Sequence, residues 1–482
     1  MKNKIYYIFI WLILAVGILL RVISYSHGKP FWIDEEALAG SIIAADSLEY
    51  FFHPLKFFQK APPLFMCATY LISNLFGIKE FILRIIPFIC SLLSIPLFFA
   101  VSKYFLKSKK SIILANALFA INYQLIYYCE EFKPYASDMF VTLLLIYLSK
   151  FIDLDKFSRF KVFLYSLGSI VMLLFSFPSM FTIGAIYIVN ISKIKDKIKH
   201  LIYLAPITIC GIWYYIELLL PLRNREIKYF ISYWGEGFIK PNISSIWNII
   251  EYNIKYIFYP NNGILLILFF FAGIFLFFKN NNQKIRIYII VFILTIIASA
   301  LHLYPMKGRM ILYLIPFTIL VVTKPLDLVQ IKKPTLALII ITTYLIPFLT
   351  YGNLNYYNYF FIEDTIMWQD SRTALEIIIK NIKPEEIIVY NNASGPSMYY
   401  YSHYFNLDDK NEIIKLKSEY NEKDYFRELD KLERNKSYWF YYPYHLNKKP
   451  EIQFVKKWVI DRNLKAEYFI YKKSFVAHIQ PN

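Results

Sequence analysis

The chain has 482 residues, 57% of them hydrophobic and 19% aromatic, with a mean hydropathy of +0.40. A soluble domain holds roughly 45–50% apolar residues, so this composition excludes an ordinary soluble enzyme and indicates an integral membrane protein. The formal net charge of +18 is no sign of a nucleic-acid partner, because no folded basic domain carries it.

Apolar runs of about 17 to 22 residues, each able to cross a hydrocarbon core of roughly 30 Å, recur along the first three quarters of the chain. The expected spans are 5–25, 80–101, 111–128, 136–152, 162–177, 179–192, 201–219, 263–278, 287–303, 310–323 and 335–351. The first has the basic start of a signal peptide but no small-residue cleavage site before Arg21, so it is read as a retained helix. The pair around "SFPSMF" forms either two crossings or a re-entrant hairpin, with the same sidedness. Lys and Arg cluster in alternate loops, such as Lys103, Lys107, Lys109 and Lys110, or Lys193, Lys195, Lys197 and Lys199. The positive-inside rule makes these loops and the N-terminus cytoplasmic. Eleven crossings then leave the C-terminus outside.

Two outer loops are long. The first, 26–79, holds "FWIDEEALAG" and then "QKAPPLFMCATYLISNLFG", whose apolar content suggests helices lying in the interface plane. The second, 220–262, is rich in Tyr, Trp and Phe, as suits headgroup depth. From 352 the chain turns polar and reads as a small α/β domain, 352–482, standing outside the membrane beside a transmembrane domain, 1–351. Within it "TALEIIIKNI" and "GPSMYYYSHYF" read as helices, and "EEIIVYNN", "SYWFYY" and "AEYFIYKKSFVAHI" as strands. Cys67, Cys90, Cys129 and Cys210 lie in apolar surroundings and imply neither disulfides nor a metal site.

The informative charges are those that break the topological rule. Arg21, Arg84, Lys133, Lys307 and Arg309 map to the outer half of the bilayer or its outer surface, and an ionisable group at membrane depth usually faces a cavity or a partner. Asp34, Glu35, Glu36, Glu130 and Glu131 share that side. They are either loop charges fixed in ion pairs or a site for a substrate with an anionic headgroup and an apolar tail. A sugar held through a phosphate diester already has a good leaving group, so an enzyme need only stabilise the charge that develops on it. The attacking sugar hydroxyl does need a base, and Asp34 and its neighbours can supply a carboxylate.

In order and spacing over about 1–350, "FWIDEEALAG", "QKAPPLF", "FGIKEFILRIIP", "CEEFKPYASD" and "YPMKGRMILYLIP" resemble the marks of bacterial GT-C glycosyltransferases. The likeness is to the protein O-mannosyltransferase and aminoarabinose transferase superfamily, which includes lipopolysaccharide-modifying members. The resemblance implies a polytopic α-helical membrane protein of GT-C fold, with an active site at the outer face of the bacterial inner membrane. It implies a polyprenyl-phosphate sugar donor, inversion at the anomeric carbon, and a lipid, glycan or protein acceptor among the membrane lipids. On this likeness Asp34 is the base, and Glu35 either orients it or holds the acceptor. Glu36 has no counterpart and is expected to be solvated. Glu131, Lys133 and Tyr135 match an acid, a basic residue and a tyrosine of the family's second outer turn, with Lys where Arg is common. Lys offers a point charge in place of a bidentate fork. Arg309, and more weakly Lys307, are assigned to the lipid phosphate. Arg84 either pairs with an acid or contacts substrate. No cofactor is required; a divalent metal on His302 and Glu131 is the candidate exception, the alternative being a hydrogen-bonding His302. The competing class, a flippase or transporter of such lipids, places its charged sites near the bilayer midplane on repeated halves.

Overall fold

A computed structural model describes residues 2–191, 194–220, 233–258, 264–279, 283–327, 369–407, 411–417, 421–443, 450–471 and 474–482. The expected span 335–351, the boundary at 351/352 and the stretch 221–232 of the second outer loop lie outside the described residues.

Helix α1 (Lys2–Ser26) is 25 residues long, about 37 Å at 1.5 Å per residue. Among the described residues four helices are long and apolar enough to cross a membrane: Lys4–Ser26, Ile85–Phe105, Lys197–Leu218 and Gly308–Asp327. Lys109–Ala120 and Tyr123–Glu130, bent by 47°, make a fifth if they are one span. Tyr135–Ser149, Ser179–Asn190, Leu266–Lys279 and Ile285–Ala300 are shorter apolar helices.

Local chemistry explains the breaks. Asn122 caps the second half of the bent pair, its Oδ1 accepting from the Leu125 amide at 3.1 Å, while its Nδ2 donates to the Ile257 carbonyl at 2.7 Å. The break leads the chain into the 130–134 turn. Arg21, fully buried, donates to Ser91 Oγ at 2.9 Å and to the carbonyls of Gly17 and Ala120 at 3.0 Å each. It therefore staples α1 to its neighbours inside the bundle. Gly17 permits the approach, since an added Cβ would sit 3.0 Å from the Ala120 Cβ.

The first outer loop folds into α2 (Ile33–Ala44) and α3 (Pro63–Phe76). The C-terminal region forms a five-stranded sheet in the order β2-β1-β3-β5-β4, with β1 Ile387–Asn391, β2 Ile413–Leu416, β3 Tyr438–Tyr442, β4 Lys465–Tyr471 and β5 Ser474–Gln480. β1 is parallel to β2 and β3, and β5 is antiparallel to β3 and β4. Strand alternation sends Tyr438, Phe440 and Tyr442 to one face, against helices Glu422–Leu429 and Pro450–Asp461. Trp439 and Tyr441 face the other way, where helices Ser371–Asn381 and Gly395–Phe405 bring Leu375, Ile378, Met398 and Tyr400. That second core continues without a break into Phe31, Leu38, Ala39 and Ile42 of the α2 region and Phe65 of α3. The C-terminal domain and the segment that follows α1 thus share one hydrophobic core.

Candidate active site

The first turn of α2 builds the site. Trp32, in an extended conformation, is the N-cap; its carbonyl accepts from the Glu35 amide at 2.8 Å and the Glu36 amide at 3.0 Å, and Glu35 Oε2 reaches back to the Trp32 amide at 3.4 Å. Three acids in a first turn suit the positive end of the helix dipole. Consecutive side chains diverge by about 100° around a helix, and here each carboxylate meets a different part of the molecule.

Asp34 Oδ2 accepts from Arg309 Nη2 at 3.0 Å. Arg309 follows Gly308, whose φ of +59° needs the left-handed freedom of glycine, and opens a short 3-10 helix, Gly308–Leu314. Its guanidinium carbon lies 4.9 Å from the Trp32 ring centroid, 5.5 Å from Trp234 and 5.9 Å from Tyr135. Such an aromatic box favours a cation while leaving its edge open to an anion. Among the described residues Arg309 Nε makes no hydrogen bond.

Glu35 is different. Arg84 Nε donates to its Oε1 at 2.8 Å and Nη2 to its Oε2 at 2.7 Å, and the Phe132 amide donates to Oε1 at 2.6 Å. Arg84 spends its other contacts on the carbonyls of Lys29 at 2.6 Å and Pro30 at 3.4 Å. This buried pair ties the first outer loop to the second outer turn, so of the two roles expected for Arg84 the geometry shows pairing with an acid.

Glu36 corrects the expectation of a solvated carboxylate: it is fully buried, accepts from Ser397 Oγ of the outer domain, and has its carboxyl pushed up to about 8 by desolvation. The reason is tertiary, because a helix from beyond residue 390 covers it.

The 130–135 turn brings three more expected residues to Arg309. Glu131 is buried, its Oε2 without a partner among the described residues, and burial pushes its carboxyl up to about 8, with the Glu35 charge adding and Arg309 opposing. Lys133 is buried and donates to Gln59 Oε1 at 2.8 Å; desolvation lowers its pKa. Tyr135 starts the helix Tyr135–Ser149 and packs edge-on against Tyr128, 5.5 Å between centroids. Glu130 pairs with Lys29 at 2.5 Å. Lys307 faces the second outer loop, 2.6 Å from Glu236 and over the Tyr252 ring at 4.7 Å.

His302 sits in a left-handed turn, φ 57°, with its ring 5.0 Å from that of Phe238. Among the described residues no group of three or more His, Cys, Asp or Glu is placed to hold a metal ion. The sequence alone did not point to Trp32 and Trp234 of the box, Gln59, or Asp138, a buried carboxylate one turn after Tyr135 whose Oδ1 has no hydrogen-bond partner among the described residues. Only Trp32, beside Asp34, had a local signal.

No family model and no curated protein matches the chain. Its fold matches the crystal structure of ArnT from Cupriavidus metallidurans in the apo state, with 11% identity, a TM-score of 0.58, and coverage of 99% of this chain and 98% of that one. ArnT from the same organism bound to undecaprenyl phosphate matches with 12% identity, a TM-score of 0.56 and 97% coverage of each chain. The fold is GT-C, as the sequence resemblance implies.

Proposed function

We propose that this chain is an inverting glycosyltransferase that moves a sugar from a polyprenyl-phosphate donor to a lipid, glycan or protein acceptor at the outer face of the bacterial inner membrane. The observation that carries this reading is the half-open pair of Asp34 and Arg309, 29% and 17% exposed in their side chains, boxed by aromatic rings beside buried Lys133. The fold supports it, and a neighbour of that fold is known with undecaprenyl phosphate bound.

In this reading the donor phosphate binds Arg309, whose Nε is uncommitted, with Lys133 as a second positive charge. An incoming phosphate competes with Asp34 for the guanidinium and leaves the carboxylate to receive an acceptor hydroxyl. That hydroxyl passes its proton to Asp34 as its oxygen bonds the anomeric carbon from the face opposite the phosphate. The bond from the anomeric carbon to the phosphate oxygen breaks, and its electron pair stays on the phosphate, where Arg309 and Lys133 stabilise it in a partly desolvated site. Glu131, held neutral by burial, can donate to a sugar or phosphate oxygen. Glu35 and Arg84 brace the base. Lys307 acts at the rim. Eleven crossings, a cytoplasmic N-terminus and an outer domain beyond the membrane complete the arrangement.

The test is transfer by purified protein in detergent from a panel of polyprenyl-phosphate sugars to envelope-lipid, glycan and peptide acceptors. Transfer by the wild type, lost in a folded Asp34→Asn variant, supports the reading. Movement of the labelled lipid across a vesicle bilayer without transfer overturns it in favour of transport.

A further inference from the structure

The outer domain holds the helix that carries Asp34 from the side opposite the bundle. Ser397 Oγ donates to Glu36 Oε2; Ser371 Oγ lies 3.1 Å from Ser397 Oγ, and Gln369 Nε2 donates to Ser371 Oγ at 2.9 Å. None of these partners is a cation, and Glu36 Oε1 has no partner among the described residues. The charged group that acts on it, Glu35, is itself paired with Arg84, and Arg372 of the C-terminal domain is paired with Glu80 at 2.5 Å. A buried carboxyl without a counter-charge contributes little net stability compared with a packed apolar side chain, but it makes a directional contact that an apolar residue cannot.

Further ties bracket the base. The Phe31 amide donates to Tyr401 Oη at 3.0 Å, and the Tyr401 hydroxyl donates to Glu80 Oε1 at 2.6 Å. Arg372 also donates to the Gly28 carbonyl at 3.2 Å. At Gly40 an added Cβ would lie 2.7 Å from the Phe57 ring and 3.3 Å from the Tyr399 ring, so the glycine lets α2 close onto the side chains of Phe57 and of helix Gly395–Phe405. Asp34 stands between Phe31 and Glu36, the two positions hydrogen-bonded to that helix.

We propose that Ser397 and Tyr401 of the outer domain are positioning residues for Asp34, acting through Glu36 and the Phe31 backbone to set the rotation of α2. The outer domain then completes the catalytic site in addition to any part in holding an acceptor. This rests on Asp34 being the base. A misplacement of about 1 Å at a reacting group costs on the order of 100-fold in rate, so loss of either contact acts on turnover.

The experiment measures kcat and KM for donor and acceptor in wild type, Ser397→Ala, Ser397→Thr, Tyr401→Phe and Asp34→Asn, with hydrogen–deuterium exchange of residues 33–44 in the same preparations. Ser397→Ala and Tyr401→Phe are expected to lower kcat at least about 10-fold with both KM values within about two-fold, a turnover-only effect. Ser397→Thr keeps the hydroxyl and restores most of the rate. Exchange at 33–38 rises in the Ala and Phe variants while Ile85–Phe105 is unchanged. Unchanged kcat, or a loss confined to the acceptor KM, overturns the proposal. If Ser397→Ala unfolds, Tyr401→Phe decides. If the wild type transfers no sugar, the transferase reading fails by itself, and exchange alone decides whether the outer domain orders α2.

Discussion

Two carboxylate–guanidinium pairs leave adjacent residues of α2 and behave as opposites. Glu35 and Arg84 are 1% and 5% exposed in their side chains, joined by two hydrogen bonds, with backbone groups on the remaining positions. Asp34 and Arg309 are 29% and 17% exposed, joined by one hydrogen bond, and the guanidinium keeps an uncommitted N–H. A saturated buried pair cannot exchange partners without stranding a charge, so it serves as a brace. An unsaturated pair at a rim can release its carboxylate when a stronger anion arrives. Among charges of one type on one helical turn, saturation separates scaffold from chemistry.

The sharpest way to break this comparison is to remove one charge from each pair. Asp34→Asn is expected to lower kcat for transfer by about 10²–10⁴-fold, the range for loss of a general base, with little change in thermal unfolding. Arg84→Ala should do the reverse, because a buried partner removed leaves an unpaired charge at a cost of about 3–5 kcal/mol; calorimetry or thiol-reactive dye melting in detergent reads it. A normal melting temperature for Arg84→Ala would show that Glu35 is no brace.

Arg309→Lys keeps the charge but loses the fork, and is expected to raise KM for the lipid donor by about 10-fold, roughly the worth of one charge-assisted hydrogen bond. Glu36 and Glu131 supply a pH test. Both are pushed up to about 8 by burial, so the fold holds protons that the unfolded chain releases near its ordinary value of 4.5. Stability therefore falls as pH rises between those values and levels off above about 8. Glu36→Gln and Glu131→Gln should each flatten the fall in melting temperature across that window; a wild type whose melting point is level there contradicts the burial of both. The smallest effect is expected for Lys307→Ala, because its pair with the fully exposed Glu236 is screened by solvent and contributes little. A large loss of transfer in that variant would move the phosphate site outward from Arg309.

Much of the architecture was legible. Strand β3 announced itself through an unbroken aromatic run, and helices Ser371–Asn381 and Gly395–Phe405 through their apolar spacing. β2, four residues long, and helices Glu422–Leu429 and Pro450–Asp461 were missed. The Glu422–Leu429 helix lies in a charge run whose single buried stripe, Tyr425 and Leu429, carries too little apolar signal. The expected span 80–101 is a short helix, Glu80–Leu83, a break at Arg84 and then Ile85–Phe105, because Pro87 lacks the amide that would bond the Leu83 carbonyl. In the site, Lys133 and Arg309 could be singled out as basic residues that break the positive-inside rule, and Asp34 and Glu131 as acids on the same expected side that match the family's marks, whereas Gln59 and Trp234 look like any other loop residues.

What the sequence determined alone follows from local rules: hydropathy dictates a membrane chain, and the acids at the start of α2 a favourable first turn. Tertiary structure decided which carboxylate does what. Three neighbouring acids with nearly the same local chemistry become a half-exposed carboxylate, half of a saturated buried pair and a buried hydrogen-bond acceptor because they point about 100° apart, toward Arg309, Arg84 and Ser397. Those partners lie 275, 49 and 361 residues away, and only folding sets them around one turn of helix.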